Sequence, residues 1–218
     1  MKMVIIGAGN TATHYAIAFH TLGHTISQVY NRTLANAEAL ANVVSAQAID
    51  NIAQFDPTAD LYIIAVSDAH ISSVVAQLPP TIKGIVVHTS GATAAATVHK
   101  FTHYGVIYPP QSLTKGVEND LSQIPFAVEG SSKETAQLLL HLLQEISPRA
   151  FICDSRQRLA LHVAAVFANN FSNILFDIAQ GILSKENLDF ELIKPIIMET
   201  AEKVQNHAPH AVQTGPAV

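Results

Sequence analysis

Two apolar rhythms divide this chain. Up to about residue 153, short apolar runs of strand length alternate with stretches of helical spacing; from Asp154 onward only helical spacing remains. Met3-Val4-Ile5-Ile6 reads as a first strand, entering a glycine-rich turn and then a helix, and Thr25–Tyr30 reads as a second. Residues 35–41 continue a short helix, and 43–48 give a weakly patterned third strand. Residues 60–66 are almost continuously apolar, as expected of a strand covered on both faces. Ser67-Asp68 then reads as the cap of a helix running to Leu78, where Pro79-Pro80 stops it. Residues 84–88 and 105–108 are further strands, and 124–128 and 150–153 flank a helix over 133–146. This alternation predicts an α/β class with a parallel sheet.

The later segment predicts one helix over 155–183 and a second over 189–206, with Pro195 kinking it or marking its first turn. The expected organisation is a domain over 1–150 and a small all-α domain over 151–218. Two helices cannot bury their own apolar faces, so they should pack on the first domain or on a second subunit. No stretch is read as approaching membrane-spanning length, and the apolar start is too short and glycine-broken for a signal peptide.

The opening strand and turn carry the chemistry. Gly7-Ala8-Gly9-Asn10-Thr11-Ala12 is a G-x-G-x-x-A turn between a strand and a helix, the arrangement that wraps a dinucleotide pyrophosphate. Gly7 allows the tight turn and Gly9 lets the backbone approach phosphate. Ala12 keeps helix and strand close, while the helix N-terminus offers unpaired N–H groups to the anion. The predicted first domain is therefore a Rossmann-type, doubly wound dinucleotide-binding sheet. Asn31 stands 22 residues beyond Gly9, where an NAD-specific site would carry a carboxylate. Arg32 is suited instead to a 2′-phosphate, with Asn31 and Thr33 adding hydrogen bonds, which points to NADP. The alternative is a solvated arginine ahead of a helix that Thr33 caps.

Composition narrows the partners. Only 13% of residues are charged and the net charge is −5 with no basic stretch, which argues against nucleic acid and anionic membranes as partners. The single cysteine, Cys153, fits a cytoplasmic protein, and between Ile152 and Asp154 it is read as a buried, inert thiol. Eleven histidines are scattered without metal-ligand spacing, so no metal site is expected.

A small-molecule substrate would lie outside the carboxyl ends of the strands, where the loops 7–12, 67–70 and 88–91 meet. Val66 and Ser67 are assigned to the cofactor, although Ser67-Asp68 also reads as a plain cap. Thr89-Ser90-Gly91 offers hydroxyl and N–H groups to a carbonyl or carboxylate, with Ser90 a candidate catalytic residue and an ordinary turn the alternative. On the long helix, Ser155, His162, Asn169, Asn173 and Gln180 fall in a narrow arc at 100° per residue, among mainly apolar neighbours. His162 is the candidate general acid and Asn169 the residue that orients a substrate oxygen; a hydrogen-bonded interface helix without chemistry is the alternative.

These motifs resemble the superfamily of β-hydroxyacid dehydrogenases, 6-phosphogluconate dehydrogenase and pyrroline-5-carboxylate reductase. Within it, the chain is most similar to bacterial proteins that join a Rossmann-like domain to a helical domain and are described as NADP oxidoreductases. The closer resemblance rests on Val87-His88-Thr89-Ser90-Gly91-Ala92, on the segment Leu161-His162 through Asn169-Asn170, and on the closing Thr214-Gly215-Pro216. It implies hydride transfer between NADP(H) and a small carbonyl or imine compound by a homodimer, with a 6-phosphogluconate dehydrogenase-like C-terminal region. Two departures stand out. The lysine that β-hydroxyacid dehydrogenases place four residues before a helix asparagine is replaced by Ala165 or Val166, and relatives continue with more helix past the Gly-Pro. A non-catalytic NADP-binding sensor or scaffold is the rival reading.

Overall fold

The computed structural model describes residues 1–116 and 119–212, so the closing Thr214-Gly215-Pro216 lies outside the described residues. Its strands are β1 (Lys2–Ile6), β2 (Thr25–Tyr30), β3 (Gln47–Ile49), β4 (Leu61–Ile64), β5 (Ile85–His88), β6 (Tyr104–Tyr108), β7 (Ala127–Gly130) and β8 (Phe151–Ile152). Its α-helices are α1 (Asn10–Thr21), α2 (Leu34–Val43), α3 (Asp68–Gln77), α4 (Lys133–Gln144), α5 (Ser155–Ala165), α6 (Ser172–Lys185) and α7 (Lys194–Asn206). The chain divides into two compact units, Met1–Ala165 and Val166–Val218. The expected limit near 149–154 thus falls before α5, whereas the contacts divide after it.

In the first unit the eight strands form one sheet in the order β3-β2-β1-β4-β5-β6-β7-β8. Every strand of the 3-2-1-4-5-6 portion pairs in parallel, as right-handed crossovers require. The fully parallel expectation fails at β7, which runs antiparallel to β6 with Tyr108 opposite Ala127 and Gly105 opposite Gly130. Among the described residues the connection before β7 carries a 3₁₀ turn, Leu121–Gln123, and no α-helix, and the chain turns back along the edge of β6. β8 then pairs in parallel with β7.

The apolar runs explain the burial. Met3, Ile5, Leu61 and Ile63 point into the layer under α1, α2 and α4, while Val4, Ile6, Tyr62 and Ile64 point into the layer under α3. All eight are completely buried, so both faces of the central strands are covered. The expected strand over 43–48 is shifted: α2 runs on through Val43, Ser45 takes φ 54°, and pairing begins only at Gln47. A left-handed residue ends a helix and cannot sit in a strand ladder.

In the second unit, Val166–Phe171 is a π-helical segment followed by α6; Phe190–Ile193 forms a 3₁₀ turn into α7, where Pro195 occupies the first helical turn. A π segment places an extra residue in its turn, so the uniform 100° step fails there and the arc of five polar residues is not continuous through it. Among the described residues of this unit none is buried. Phe167, Leu175, Ile182, Leu192, Ile196 and Met198 are each more than 60% exposed. The expectation about membrane-spanning length is corrected as well: the helical run Ser155–Lys185 is 31 residues long, with a window of mean hydropathy 1.4 and nothing in that window buried. Polar residues such as His162, Asn169 and Asn173 interrupt this run but carry little charge, so its mean hydropathy stays high.

Candidate functional site

Position 7 accepts no side chain. Gly7 has φ 121°, and a Cβ there would stand 2.2 Å from the Ala65 carbonyl oxygen at the end of β4. Its N–H donates to the Tyr30 carbonyl at 2.8 Å, fastening the ends of β1 and β2 around the turn. Gly9 is the N-cap of α1 and has nothing within 4 Å of where its Cβ would be, so the helix end is open to a large anion. Asn10, Thr11 and Ala12 form the first turn, where backbone N–H groups have no carbonyl one turn earlier. Ala12 is completely buried, as a close helix–strand contact needs. The Asn10 side-chain oxygen accepts from the Lys115 N–H at 3.2 Å and braces α1 against the loop after β6.

A cleft of about 580 Å³ opens beside this turn, outside the carboxyl ends of β1, β2 and β4. Gly7, Gly9, Asn31, Arg32, Thr33, Val66 and Ser67 all line it, joined by His70, Ser73 and Gln77 of α3. This is the point where strand order reverses, the place where open α/β sheets bind ligands. No carboxylate lines the cleft among the described residues, and Arg32 is its fixed charge. Asn31 Oδ1 accepts from the Thr33 N–H at 2.9 Å, which shapes the loop that carries Arg32. Thr33 and Ser67 both occupy the N-cap positions, but neither side chain accepts from a backbone N–H of its helix. The Ser67 hydroxyl instead meets His70 Nδ1 at 2.7 Å, so the imidazole captures the group that would have capped α3.

A second cluster lies at the ends of β5 and β6, assembled by the reversal at β7. Because β7 and β8 run opposite to β6, α5 starts level with Val106 and climbs back toward Tyr108. Asp154 and Gln157 start the helix by reciprocal hydrogen bonds, 2.7 and 3.0 Å, a capping box. One turn on, Arg158 is 1% exposed. Its Nη1 donates to the Ser90 and Gly91 carbonyls, both at 2.9 Å, and its Nε and Nη2 reach Glu129 Oε2 at 3.2 and 3.1 Å. Glu129 Oε1 accepts from the Ser155 hydroxyl at 2.6 Å, completing the network.

His88 ends β5 with no exposed surface, and burial followed by the Arg158 charge pushes its pKa down to about 4. The neutral ring accepts from the Ser90 N–H at Nδ1, 3.2 Å, so Nε2 carries the hydrogen and donates to the Ala94 carbonyl at 3.3 Å. The Ser90 hydroxyl oxygen accepts from the Ala92 and Thr93 N–H groups, at 3.2 and 2.9 Å, so it organises the turn. His162, one turn beyond Arg158, stands over Gly91: a Cβ at that glycine would lie 2.6 Å from His162 Nδ1. The Tyr108 hydroxyl meets the same nitrogen at 3.0 Å, with the rings edge to face. Ser90 and His162 are thus brought together, whereas Asn169 belongs to the second unit, where its amide donates to Asn170 Oδ1 at 3.3 Å. Cys153 is buried, and burial with the Glu129 charge pushes its thiol up to about 11.

Sequence reading missed Arg158, Glu129, Tyr108 and His88. Nothing in Ser155-Arg156-Gln157-Arg158 marks the second arginine as the buried one, because both lie in the same polar first turn of α5. No group of three metal-ligating side chains occurs among the described residues.

Residues 1–111 match the Rossmann-like domain family and residues 124–218 match a domain family of unknown function, DUF2520. No curated protein matches the chain. A crystal structure from Bacteroides fragilis, provisionally named an NADP oxidoreductase, is 39% identical with a TM-score of 0.88, covering 100% of this chain and 85% of that one. A pyrroline-5-carboxylate reductase from Streptococcus pyogenes is 16% identical with a TM-score of 0.68, covering 100% and 87% of the two chains. An imine reductase from Myxococcus stipitatus in complex with NADP+ is 18% identical with a TM-score of 0.67, covering 100% and 80%. The last two likenesses concern the fold.

Proposed function

The chain belongs to the family that joins a Rossmann-like domain to a DUF2520 domain, and from that premise we propose that it is an NADP(H)-dependent oxidoreductase acting on a small carbonyl or imine compound. One observation carries the cofactor assignment. The open glycine turn and the Arg32 loop face a single cleft that contains no carboxylate among its described lining. The residues fit the group: Gly7 and Gly9 leave room for a diphosphate at the start of α1, and Arg32 supplies a bidentate donor for a 2′-phosphate. A bound nicotinamide would supply or accept the hydride. His162, next to the Ser90-Gly91 turn, is the proton-donating side chain. The names of the similar proteins from B. fragilis and M. stipitatus support the same cofactor and reaction class.

Fluorescence titration with NADPH and NADH tests this reading. NADPH should bind more tightly, and Arg32→Ala should weaken NADPH by tenfold or more, about 1.5–3 kcal/mol for a hydrogen-bonded charge, while leaving NADH unchanged. Equal affinities in the wild type would overturn the NADP assignment.

The rival reading, an NADP-binding sensor without turnover, draws on Ala165 and Val166 standing where dehydrogenases of the resembled superfamily keep a lysine. A screen of ketones, keto acids and cyclic imines separates the two, because a sensor binds NADPH and consumes none. We assign the exposed apolar face of the second unit to a second copy of the chain rather than to lipid.

A further inference from the structure

We propose that Tyr108 is the positioning residue of the site: by reserving Nδ1 of His162 it leaves Nε2 as the one ring atom that exchanges a proton with substrate. The inference rests on the function proposed above and extends it to a residue outside that assignment. Three contacts fix the imidazole. The Tyr108 hydroxyl lies 3.0 Å from Nδ1, the two rings meet edge to face with centroids 5.7 Å apart, and the ring lies so close over Gly91 that no side chain fits between.

The direction of the hydrogen bond follows from satisfaction. Tyr108 is 8% exposed, and His162 is the hydrogen-bond partner its hydroxyl has among the described residues. If neutral His162 carried its hydrogen on Nδ1, two hydrogens would face each other across the 3.0 Å contact and the phenol would lose its acceptor. The phenol therefore donates to Nδ1, and the neutral ring holds its hydrogen on Nε2. When the ring is an imidazolium, the same hydroxyl rotates and accepts from Nδ1–H. As hydride reaches the substrate carbon, the Nε2–H bond breaks and the proton joins the substrate oxygen or nitrogen. The ring is left neutral with its remaining hydrogen on Nδ1, the arrangement in which the phenol lacks its acceptor, and proton uptake from solvent at Nε2 restores the imidazolium.

The groups facing His162 across this contact are Tyr108 of β6 and the Ser90-Gly91 turn held by Arg158. Burial raises the Tyr108 phenol above its ordinary value, so it keeps its hydrogen at neutral pH.

The test is nitrogen-15 NMR of the full chain with labelled histidine, the His162 signal being assigned by its loss in His162→Ala. In its neutral form wild-type His162 should show the Nε2–H tautomer, and Tyr108→Phe should give a mixture of both. Gly91→Ala, which displaces the ring by a different route, should do the same. A neutral Nδ1–H tautomer in the wild type, or an unchanged tautomer in Tyr108→Phe, would overturn the proposal. NADPH titration of Tyr108→Phe should match the wild type; if neither binds NADPH, the proposed function fails while the tautomer result stands.

Discussion

His88 shows how one buried side chain couples stability to pH. Its folded pKa of about 4 lies below the ordinary histidine value near 6.5, so the unfolded chain binds the proton more readily. Folding stability should therefore fall as pH drops from about 6.5 to about 4 and level off below. Between pH 7 and pH 5 the loss from this residue is about 2 kcal/mol. Urea unfolding at the two pH values reads it, and a His88→Asn variant, less stable overall, should lose that slope. Asp56 acts elsewhere on the scale: its hydrogen bond to Lys2 holds it down to about 2, so its contribution persists above pH 4 and fades as pH falls toward 2. The residues that line the cleft beside α1 were legible in the sequence because glycine spacing and a missing carboxylate are one-dimensional signals. Tyr108 and His162, 54 positions apart, gave no such signal; only the fold makes them neighbours.

Among the elements, α5 organises the second cluster. The Arg158 guanidinium replaces backbone partners for the Ser90 and Gly91 carbonyls, and Glu129 neutralises it. Removing one member of a buried pair leaves the other uncompensated, at about 3–5 kcal/mol. Arg158→Met should lower the free energy of unfolding by that amount, and the paired change Arg158→Met with Glu129→Gln should recover part of it. Equal losses in the single and double variants would show that the carboxylate is not held by the arginine. Thr25–Tyr30 was legible residue for residue, and the apolar run 60–66 encloses the observed strand Leu61–Ile64. The direction of β7 could not be read, since pairing sense depends on the connection and not on side-chain alternation. The π segment was likewise invisible, because a helical pattern assumes the regular step that it breaks.

For the molecule as a whole, the second unit leaves Leu175, Ile182, Leu192 and Ile196 facing outward, far more apolar surface than a solvated helix pair carries. Sedimentation of the wild type should therefore return the mass of two chains, and Leu175→Arg with Leu192→Arg should return one. A wild-type mass of one chain would withdraw the second copy as the cover for this face. The change from strand to helix rhythm was legible, although the contacts divide the chain after α5 rather than before it, whereas what covers the helices is a property of surfaces that no periodicity encodes. The solitary thiol reports on one corner of the fold. Cys153 follows β8, next to the start of α5, and is the chain's single thiol, shielded and protonated at neutral pH. Alkylating reagents should therefore modify it only when this corner breathes open, giving the protein a built-in clock for the opening that would release Arg158 from its turn.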